Sequence, residues 1–420
     1  MNERFEILPD VFLTAVQTDK FKTGCFSVNF VRPMRRSEAA CNALIPSVLL
    51  RASEKYPSIR SISAALDELY GASMGTLVRK KGEVQLTGFF ADYIEDALAG
   101  EPVFRQMCQF VREILLHPLT ADGAFVKSIV EGEKLNLQNA MLARINDKRS
   151  YAVSQLLRTM CADELYGIPR VGDPEDLEQI DARSLYAHYR EVLENSRVEI
   201  FYMGRRTPDE AAEELRAMLA ELPRGNAVSA KTHVLARAAC VREQTQSLDV
   251  TQGKLAMGFR TGCTAGDAAY PALLMMNAIF GGSVTSKLFT HVREELGLCY
   301  YAGSSIEKFK GVMIVSSGIE CSQFETARDE ILRQLEACRA GDISEYEFES
   351  ARRYLLSDLK AGLDSPGRLD DFYMGQSVAG LDGTMDALAA QLEAVTPEQV
   401  AEAARRVTLD TIYFLKGVEA

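Results

Sequence analysis

Histidine is scarce in this 420-residue chain: only His117, His188, His233 and His291 occur. No two of them fall within one helical turn, so no H-x-x-H, H-x-x-x-H or H-x-x-E-H pair exists to build a local zinc site on a helix. Nine cysteines are present, Cys25, Cys41, Cys108, Cys161, Cys240, Cys263, Cys299, Cys321 and Cys338. They form no C-x-x-C pair and their number is odd, which argues against a disulfide framework and against a thiolate zinc site. Most are expected to be small buried apolar side chains. The chain also lacks a P-loop, a G-x-G-x-x-G after a strand and a G-x-S-x-G elbow. No stretch approaches the roughly 18 uninterrupted apolar residues of a membrane-spanning helix. The charged N-terminal segment MNERFEILPDVFLTAVQTDKF reads as neither a signal peptide nor an anchor, so the cytoplasm is the expected location. Positive charge is in deficit as well. The net charge of −12 argues against a nucleic-acid backbone or an anionic membrane surface as the main partner.

The residues present describe a soluble globular chain, 47% hydrophobic and 25% charged, and too long for one ordinary domain. Its elements run in an order that repeats. Thr23–Val31 reads as a strand, Ser37–Ser53 as a helix carrying Pro46, and Ser61–Tyr70 as a second helix stopped at Gly71. Strands follow at Met74–Arg79 and Glu83–Phe90 around the turn Lys80-Lys81-Gly82. Helical segments follow at Ala91–Leu116, Ala124–Leu142, Ser150–Cys161 and Leu177–Leu193. A strand at Val198–Met203 and an acidic helix at Pro208–Leu222 end this set.

After a segment rich in turn formers, the order starts again: a strand at Leu255–Phe259, helices at Ala268–Phe280 and Ser286–Leu296, and two strands around Lys308-Phe309-Lys310-Gly311. Helices at Gln323–Cys338, Ser344–Leu363 and Pro397–Val407 lead to a last strand at Thr411–Leu415. DELYGAS (67–73) matches EELGLCY (294–300). LEQIDARSLYAHYR (177–190) matches LEAVTPEQVAEAAR (392–405), and VEIFYMG (198–204) matches DTIYFLKG (410–417). The chain is therefore read as an internal duplication. Each half is an α+β domain, a mostly antiparallel sheet flanked by helices. The boundaries are 1–222 for the first domain, 223–230 for a linker and 231–420 for the second. Duplicated domains of this kind are expected to enclose a cleft as a clamshell.

The densest chemistry lies in LFTHVREELGLCYYAGSS (288–305). A helix-like run ends at Gly297 and a strand follows, with Arg293 and Tyr300 bracketing the turn. Both groups donate hydrogen bonds, so a carbonyl or an oxyanion is a suitable target. The competing reading pairs Arg293 with a nearby Glu and packs Tyr300 into a core. Cys299 lies in the same stretch as a possible reactive thiol, without a histidine near it in sequence to act as its base. Gly281-Gly282-Ser283 precedes the helix and reads either as a weak anion loop or as a flexible connector.

The order of elements, LDELYGAS, and above all GGSVTSKLFTHVREELGLCYYAGSS (281–305) resemble the insulinase-like M16 peptidases, the inverzincins. That family includes small bacterial members and the mitochondrial processing peptidase subunits, and the resemblance covers nearly the whole chain. It implies that Arg293 and Tyr300 contact substrate backbone beside a scissile bond. Active members carry H-x-x-E-H on the helix that here places Leu44, Ser47 and Val48 at those positions. A further Glu ligand is expected on the helix holding Glu131 and Glu133, which read here as solvated helix charges. Leucine, serine and valine supply neither ligands nor a base. The resemblance is thus to a metal-free, non-catalytic member, inactive alone and without a metal or other cofactor of its own.

Such a chain would be a subunit pairing with a zinc-bearing homologue as a heterodimer, or forming a homodimer, and supplying substrate-binding residues for proteolysis of an unfolded peptide. The alternative is a peptide-binding or assembly protein that cleaves nothing. Some bacterial relatives of this metal-free type are associated with modification of translation elongation factor P. A self-contained enzyme using Cys299 or Tyr300 in other chemistry is the third reading.

Overall fold

A computed structural model describes residues 2–417. Its chain folds into two compact units, each an α+β layer structure. The first contains residues up to Leu142, Ile168–Lys231 and Pro366–Val378; the second contains Ala143–Gly167, Thr232–Ser365 and the residues from Ala379 onward. The sequence-based ranges 1–222 and 231–420 thus differ from the compact units at two segments, each of which packs in the unit formed mainly by the other half.

In chain order the elements are strands β1 (Asn2–Leu8), β2 (Val11–Gln17) and β3 (Thr23–Pro33), then helices α1 (Arg36–Leu49) and α2 (Ile59–Glu68), then strands β4 (Ser73–Lys81) and β5 (Val84–Ile94). Helices α3 (Asp96–Ala99) and α4 (Val103–Leu116) follow, with a short β6–β7 hairpin (Thr120–Ala121, Ala124–Phe125). Next come α5 (Lys127–Ala143), α6 (Lys148–Met160), α7 (Ala182–Asn195), β8 (Arg197–Gly204) and α8 (Pro208–Met218). The later part holds β9 (Arg242–Leu248), β10 (Gly253–Arg260), α9 (Tyr270–Asn277), β11 (Cys299–Glu307), β12 (Val312–Ile319), α10 (Phe324–Ala340), α11 (Glu345–Gly362), α12 (Pro366–Ala379), α13 (Met385–Glu393), α14 (Pro397–Arg406) and β13 (Thr408–Gly417). Two π-helical turns, Ala278–Gly282 and Leu288–Glu295, lie between α9 and β11.

The first sheet runs β1-β2-β8-β3-β5-β4 and the second β11-β12-β10-β13-β9. Both are antiparallel except for one parallel pair each, β2 with β8 and β9 with β13. Apart from β1, the two orders superimpose strand for strand, which is the signature of the duplication. On β3, Phe26, Val28 and Phe30 enter an apolar core with α1, α4, α7 and α8. The alternate residues point to the other face, as strand period requires. There Ser27 donates to Asp370 Oδ1 at 2.6 Å and Asn29 reaches the Met374 sulfur at 3.4 Å, so α12 covers that face. On β10, Leu255, Met257 and Phe259 face the core of the second unit, while Ala256 packs with Ala152 and Leu156 of α6. A Cβ on Gly258 would lie 2.6 Å from the Met160 sulfur, so glycine lets α6 lie close to the strand.

The two exchanged helices are held in matching ways. Lys81 and Lys310 occupy the β4–β5 and β11–β12 hairpins, each just before a glycine with positive φ, Gly82 and Gly311. Lys81 pairs with Asp371 of α12 at 2.7 Å, and Lys310 with Glu164, just beyond α6, also at 2.7 Å. Glu164 also binds Arg260 at 2.6 Å, and Arg260 binds Asp410 at 2.7 Å.

Several elements differ from the sequence reading. Ala91–Ile94 continues strand β5 rather than opening a helix, since β3 extends far enough to pair with it. The charged N-terminal segment forms the β1–β2 hairpin, turning at Asp10 with φ 58°. Strand β9 and helices α12 and α13 were not anticipated. Among the described residues, no helix is long and apolar enough to cross a membrane.

Candidate functional site

Arg293 and Tyr300 sit at the two ends of one turn in the second unit. The segment Leu288–Glu295 is wound as a π-helix: the Leu296 amide donates to the His291 carbonyl at 3.2 Å, a five-residue step. Gly297 follows in the left-handed region (φ 60°), where only glycine avoids a Cβ penalty. The Leu298 amide then returns to the Val292 carbonyl at 3.0 Å and aims the chain into β11. Leu288 and Val292 are fully buried and anchor the turn. π-Helical winding is rare and is found frequently at functional sites.

Arg293 is 40% exposed. Its guanidinium stacks over the Phe289 ring at 4.5 Å and lies 3.5 Å from Glu294. The guanidinium–carboxylate contact named by the competing reading is therefore present, but it is long and solvent-exposed, a weak tether. Tyr300 does not pack into a core: it is 77% exposed. It is the extra residue of a β-bulge, because Cys299 pairs with Ile319 while Tyr301 pairs with its neighbour Gly318. Bulges turn a side chain out of the regular alternation. Strand β11 ends its sheet and is bonded on one side only, to β12. Among the described residues no hydrogen bond joins Arg293 to Tyr300; what they share is the turn between them.

Gly281 and Gly282 close the first π-helical turn. A Cβ on Gly281 would fall 2.7 Å from the Ser304 hydroxyl and 2.8 Å from its backbone nitrogen. Gly281 therefore lets the π-turn lie directly on β11, while a Cβ on Gly282 would meet Asn277 of the preceding helix. Cys299 is half-buried. Burial pushes its thiol up, against smaller opposing effects of the Ser317 hydrogen bond and the Arg293 charge, so it is held as the thiol at neutral pH. That is the wrong form for a nucleophile.

The positions corresponding to a metal motif are on α1. Leu44 and Val48 are 1% and 3% exposed inside the apolar core of the first unit, and Ser47 is half-buried beside them. Their neighbours Ile45, Pro46 and Leu49 line a small void together with Phe30, Phe89 and Tyr189. Neither leucine nor valine offers a lone pair, so the residues present do not fit a zinc ion. Glu133 differs from its sequence reading as a solvated charge: it is buried and bound to Arg51 Nε at 2.6 Å. Glu131 is half-exposed and pairs with Lys134 at 3.6 Å. Among the described residues, no three His, Cys, Asp or Glu side chains gather to hold a metal.

These features can be set against known proteins. A family model for the peptidase M16 inactive domain matches residues 179–355. The probable inactive metalloprotease YmfF of Bacillus subtilis is 32% identical over 409 residues, covering 96% of this chain and 95% of that protein. The chain belongs to the M16 peptidase family, among its inactive homologues. Similarity to a member described as a zinc protease is weaker: the uncharacterized zinc protease YmxG of Bacillus subtilis is 26% identical over 166 residues, 39% of this chain and 40% of that protein. The crystal structure of a conserved protein from Enterococcus faecalis V583 matches with a TM-score of 0.91 at 30% identity, covering 99% of both chains. The crystal structure of a peptidase M16 inactive domain from Pseudomonas fluorescens shares the fold, with a TM-score of 0.83 at 16% identity over 100% of this chain and 98% of that one. The M16 resemblance read from 281–305 is thus established, as is the α+β fold in two domains.

Proposed function

We propose that this M16 homologue is a non-catalytic subunit that pairs with a zinc-bearing homologue and presents Arg293 and Tyr300 to an unfolded peptide. The observation that carries this reading is a contrast in exposure. The positions of the metal motif are sunk in an apolar core, while the arginine and tyrosine are held out from a π-turn and a bulge beside an open strand edge. Arg293 donates to the substrate carbonyl, and Tyr300 donates to the oxyanion that forms from it. The unpaired edge of β11 offers backbone groups to an extended chain. The expected setting is the cytoplasm.

The test is to isolate the full chain from its native host, identify the protein that accompanies it, and assay peptide cleavage by the mixed complex. Arg293→Ala lowers kcat/KM by about 100-fold, the usual loss of one oxyanion or carbonyl donor, while the complex still assembles. Turnover at the wild-type rate by the variant complex overturns this role.

A second reading rests on the exposed apolar side chains near the pair, Val284 and Leu296 with Tyr300 itself. They suit capture of a peptide or a modification enzyme without cleavage, including one acting on elongation factor P. A mixed complex that contains zinc and cleaves no peptide favours that reading.

A further inference from the structure

Beside Tyr300 the second sheet carries a row of residues that runs across three strands. Tyr301 of β11 pairs with Gly318 of β12, and Gly318 pairs with Lys254 of β10. A Cβ on Gly318 would lie 2.6 Å from the Tyr301 ring, so the glycine is what lets the ring lie down across the sheet towards Lys254. The Lys254 ammonium is 6.0 Å from the ring centroid and donates to Gln252 Oε1 at 2.6 Å. From the other side of the sequence, Arg149 in the first turn of α6 stacks its guanidinium on the same ring at 4.2 Å.

Two cations therefore share one aromatic ring, and neither forms an ion pair with a carboxylate among the described residues. The acidic group nearest Arg149 in sequence, Asp147, is committed to the α6 cap, accepting from the Ser150 amide at 3.1 Å and hydroxyl at 2.6 Å. In a chain with a net charge of −12, acids are not in short supply, and most of the buried or half-buried cations described above have taken one. Burial also pulls the Lys254 ammonium below its ordinary value, a penalty that an arriving carboxylate relieves.

We propose that Arg149 and Lys254, spaced by Tyr301, form a subsite for the side-chain carboxylate of an Asp or Glu in the peptide lying along β11. This rests on the peptide-presenting reading above and adds a substrate class to it. A strand laid on β11 places alternate side chains over this face, while its backbone passes the Arg293–Tyr300 turn. The subsite selects acidic peptides at one or two positions next to the residue handled by Tyr300. Charge-assisted hydrogen bonds from a guanidinium and an ammonium supply the selectivity.

The test uses extended peptides, acetylated and amidated to remove terminal charge, with Glu, Gln or Lys placed in turn at successive positions. Binding to the full chain is read by fluorescence anisotropy. At one position the Glu peptide binds about tenfold tighter than its Gln counterpart, and added salt narrows the ratio. Arg149→Gln with Lys254→Gln brings the ratio to about one, and Arg149→Glu with Lys254→Glu shifts the preference to Lys. Gly318→Ala keeps both charges but displaces the ring, and also lowers the ratio. Equal binding of Glu and Gln peptides to the unaltered chain overturns the subsite and leaves the peptide-presenting reading standing, provided Arg293→Ala weakens the binding. Tighter binding of a non-amidated Gln peptide, with its free C-terminal carboxylate, than of the amidated Glu peptide overturns the side-chain assignment. Failure of every peptide to bind, to the chain alone and to the mixed complex, overturns both readings.

Discussion

The duplication supplies its own control, because the same turn occurs twice. The match of residues 67–73 to 294–300 sets Leu66 against Arg293 and Ser73 against Tyr300. In the first unit, α2 is an ordinary α-helix with a capping box between Ser58 and Ser61. It leaves through Tyr70 and Gly71, both at positive φ, into a β4 that pairs with β5 without a bulge. Ser73 there spends its hydroxyl on Asp92 at 3.3 Å. In the second unit the helix is π-wound, the turn has Gly297 alone at positive φ, and β11 bulges at Tyr300. One scaffold thus carries a regular copy and an irregular copy, and Arg293 and Tyr300 lie on the irregular one. Two departures from regular geometry on either side of two donor residues are better explained by a need to aim them than by the packing of the sheet.

The exchanged helices sharpen the contrast and give the largest expected effect. Glu164 serves two cations that are almost wholly buried, Arg260 and Lys310. Glu164→Gln takes a carboxylate from both, Arg260 retaining Asp410 at 2.7 Å, and is expected to cost about 3 kcal/mol, read from the chemical denaturation midpoint. The corresponding change in the first unit is milder. Asp371 is 55% exposed, and Lys81 also donates to the Asp371 carbonyl at 3.0 Å. Asp371→Asn is therefore expected to cost about 1 kcal/mol or less. Equal losses from the two substitutions would show that the matching lysines do not carry the difference. Between these lies Leu44→Ala, which empties a fully buried position on α1 and is expected to cost about 3 kcal/mol. A loss below about 1 kcal/mol would mean that α1 is not the packed core helix described here.

Much of this arrangement was legible in the chain. The strands β3, β10 and β13 announce themselves by β-branched and aromatic runs, and the repeat was visible because LDELYGAS and its counterpart kept their spacing. The Arg293–Tyr300 turn could be located by Gly297. What could not be read has physical reasons. Strand β9 (REQTQSL) is a polar strand that, among the described residues, pairs with β13 alone at the sheet edge, and it carries no apolar alternation. Helix α12 (PGRLDDFYMGQSVA) packs Asp370 and Ser377 as well as Leu369 and Phe372, and so shows no clean stripe. Its exchange between units depends on partners far away in sequence, such as Arg79 and Glu199. The bulge at Tyr300 and the π-winding before it are set by register against β12, which local spacing does not encode. Glu133 looked like a helix surface charge because Arg51, its partner, is remote in sequence.

Stability against pH separates the two units again. In the second, burial opposes ionisation of Glu164, but the hydrogen bonds and charges of Arg260 and Lys310 outweigh it and hold the carboxyl below its ordinary value. A depressed carboxylate stabilises the fold above its unfolded pKa, and that contribution is lost as pH falls below about 4.3. In the first unit, burial, aided by the Arg32 charge, pulls His188 below its ordinary value, with Asn42 at 2.8 Å from its Nε2. A depressed histidine likewise stabilises above its unfolded pKa, so this loss begins earlier, as pH falls below about 6.5. Melting temperatures followed from pH 8 to 3 should therefore decline in two steps. His188→Gln is expected to flatten the upper step and leave the lower one. A single decline confined to the acid end in the unaltered chain would rule out the histidine.

The smallest expected effect on folding is at the site itself, and there a small number is informative. Tyr300 is mostly exposed, and the Arg293 guanidinium rests on Phe289 beside a weak carboxylate contact. Among the described residues, neither group belongs to a hydrophobic core. Tyr300→Phe and Arg293→Ala are expected to change unfolding free energy by about 0.5 kcal/mol or less. The matching change in the regular copy, Leu66→Ala, removes a side chain packed against the first core and is expected to cost more, about 1–2 kcal/mol. If instead the arginine or tyrosine variant melts many degrees lower, the π-turn and bulge exist to stabilise the fold, and the case for aiming two donors at a ligand falls. If stability holds while peptide binding drops, the irregular copy keeps its shape for the ligand alone.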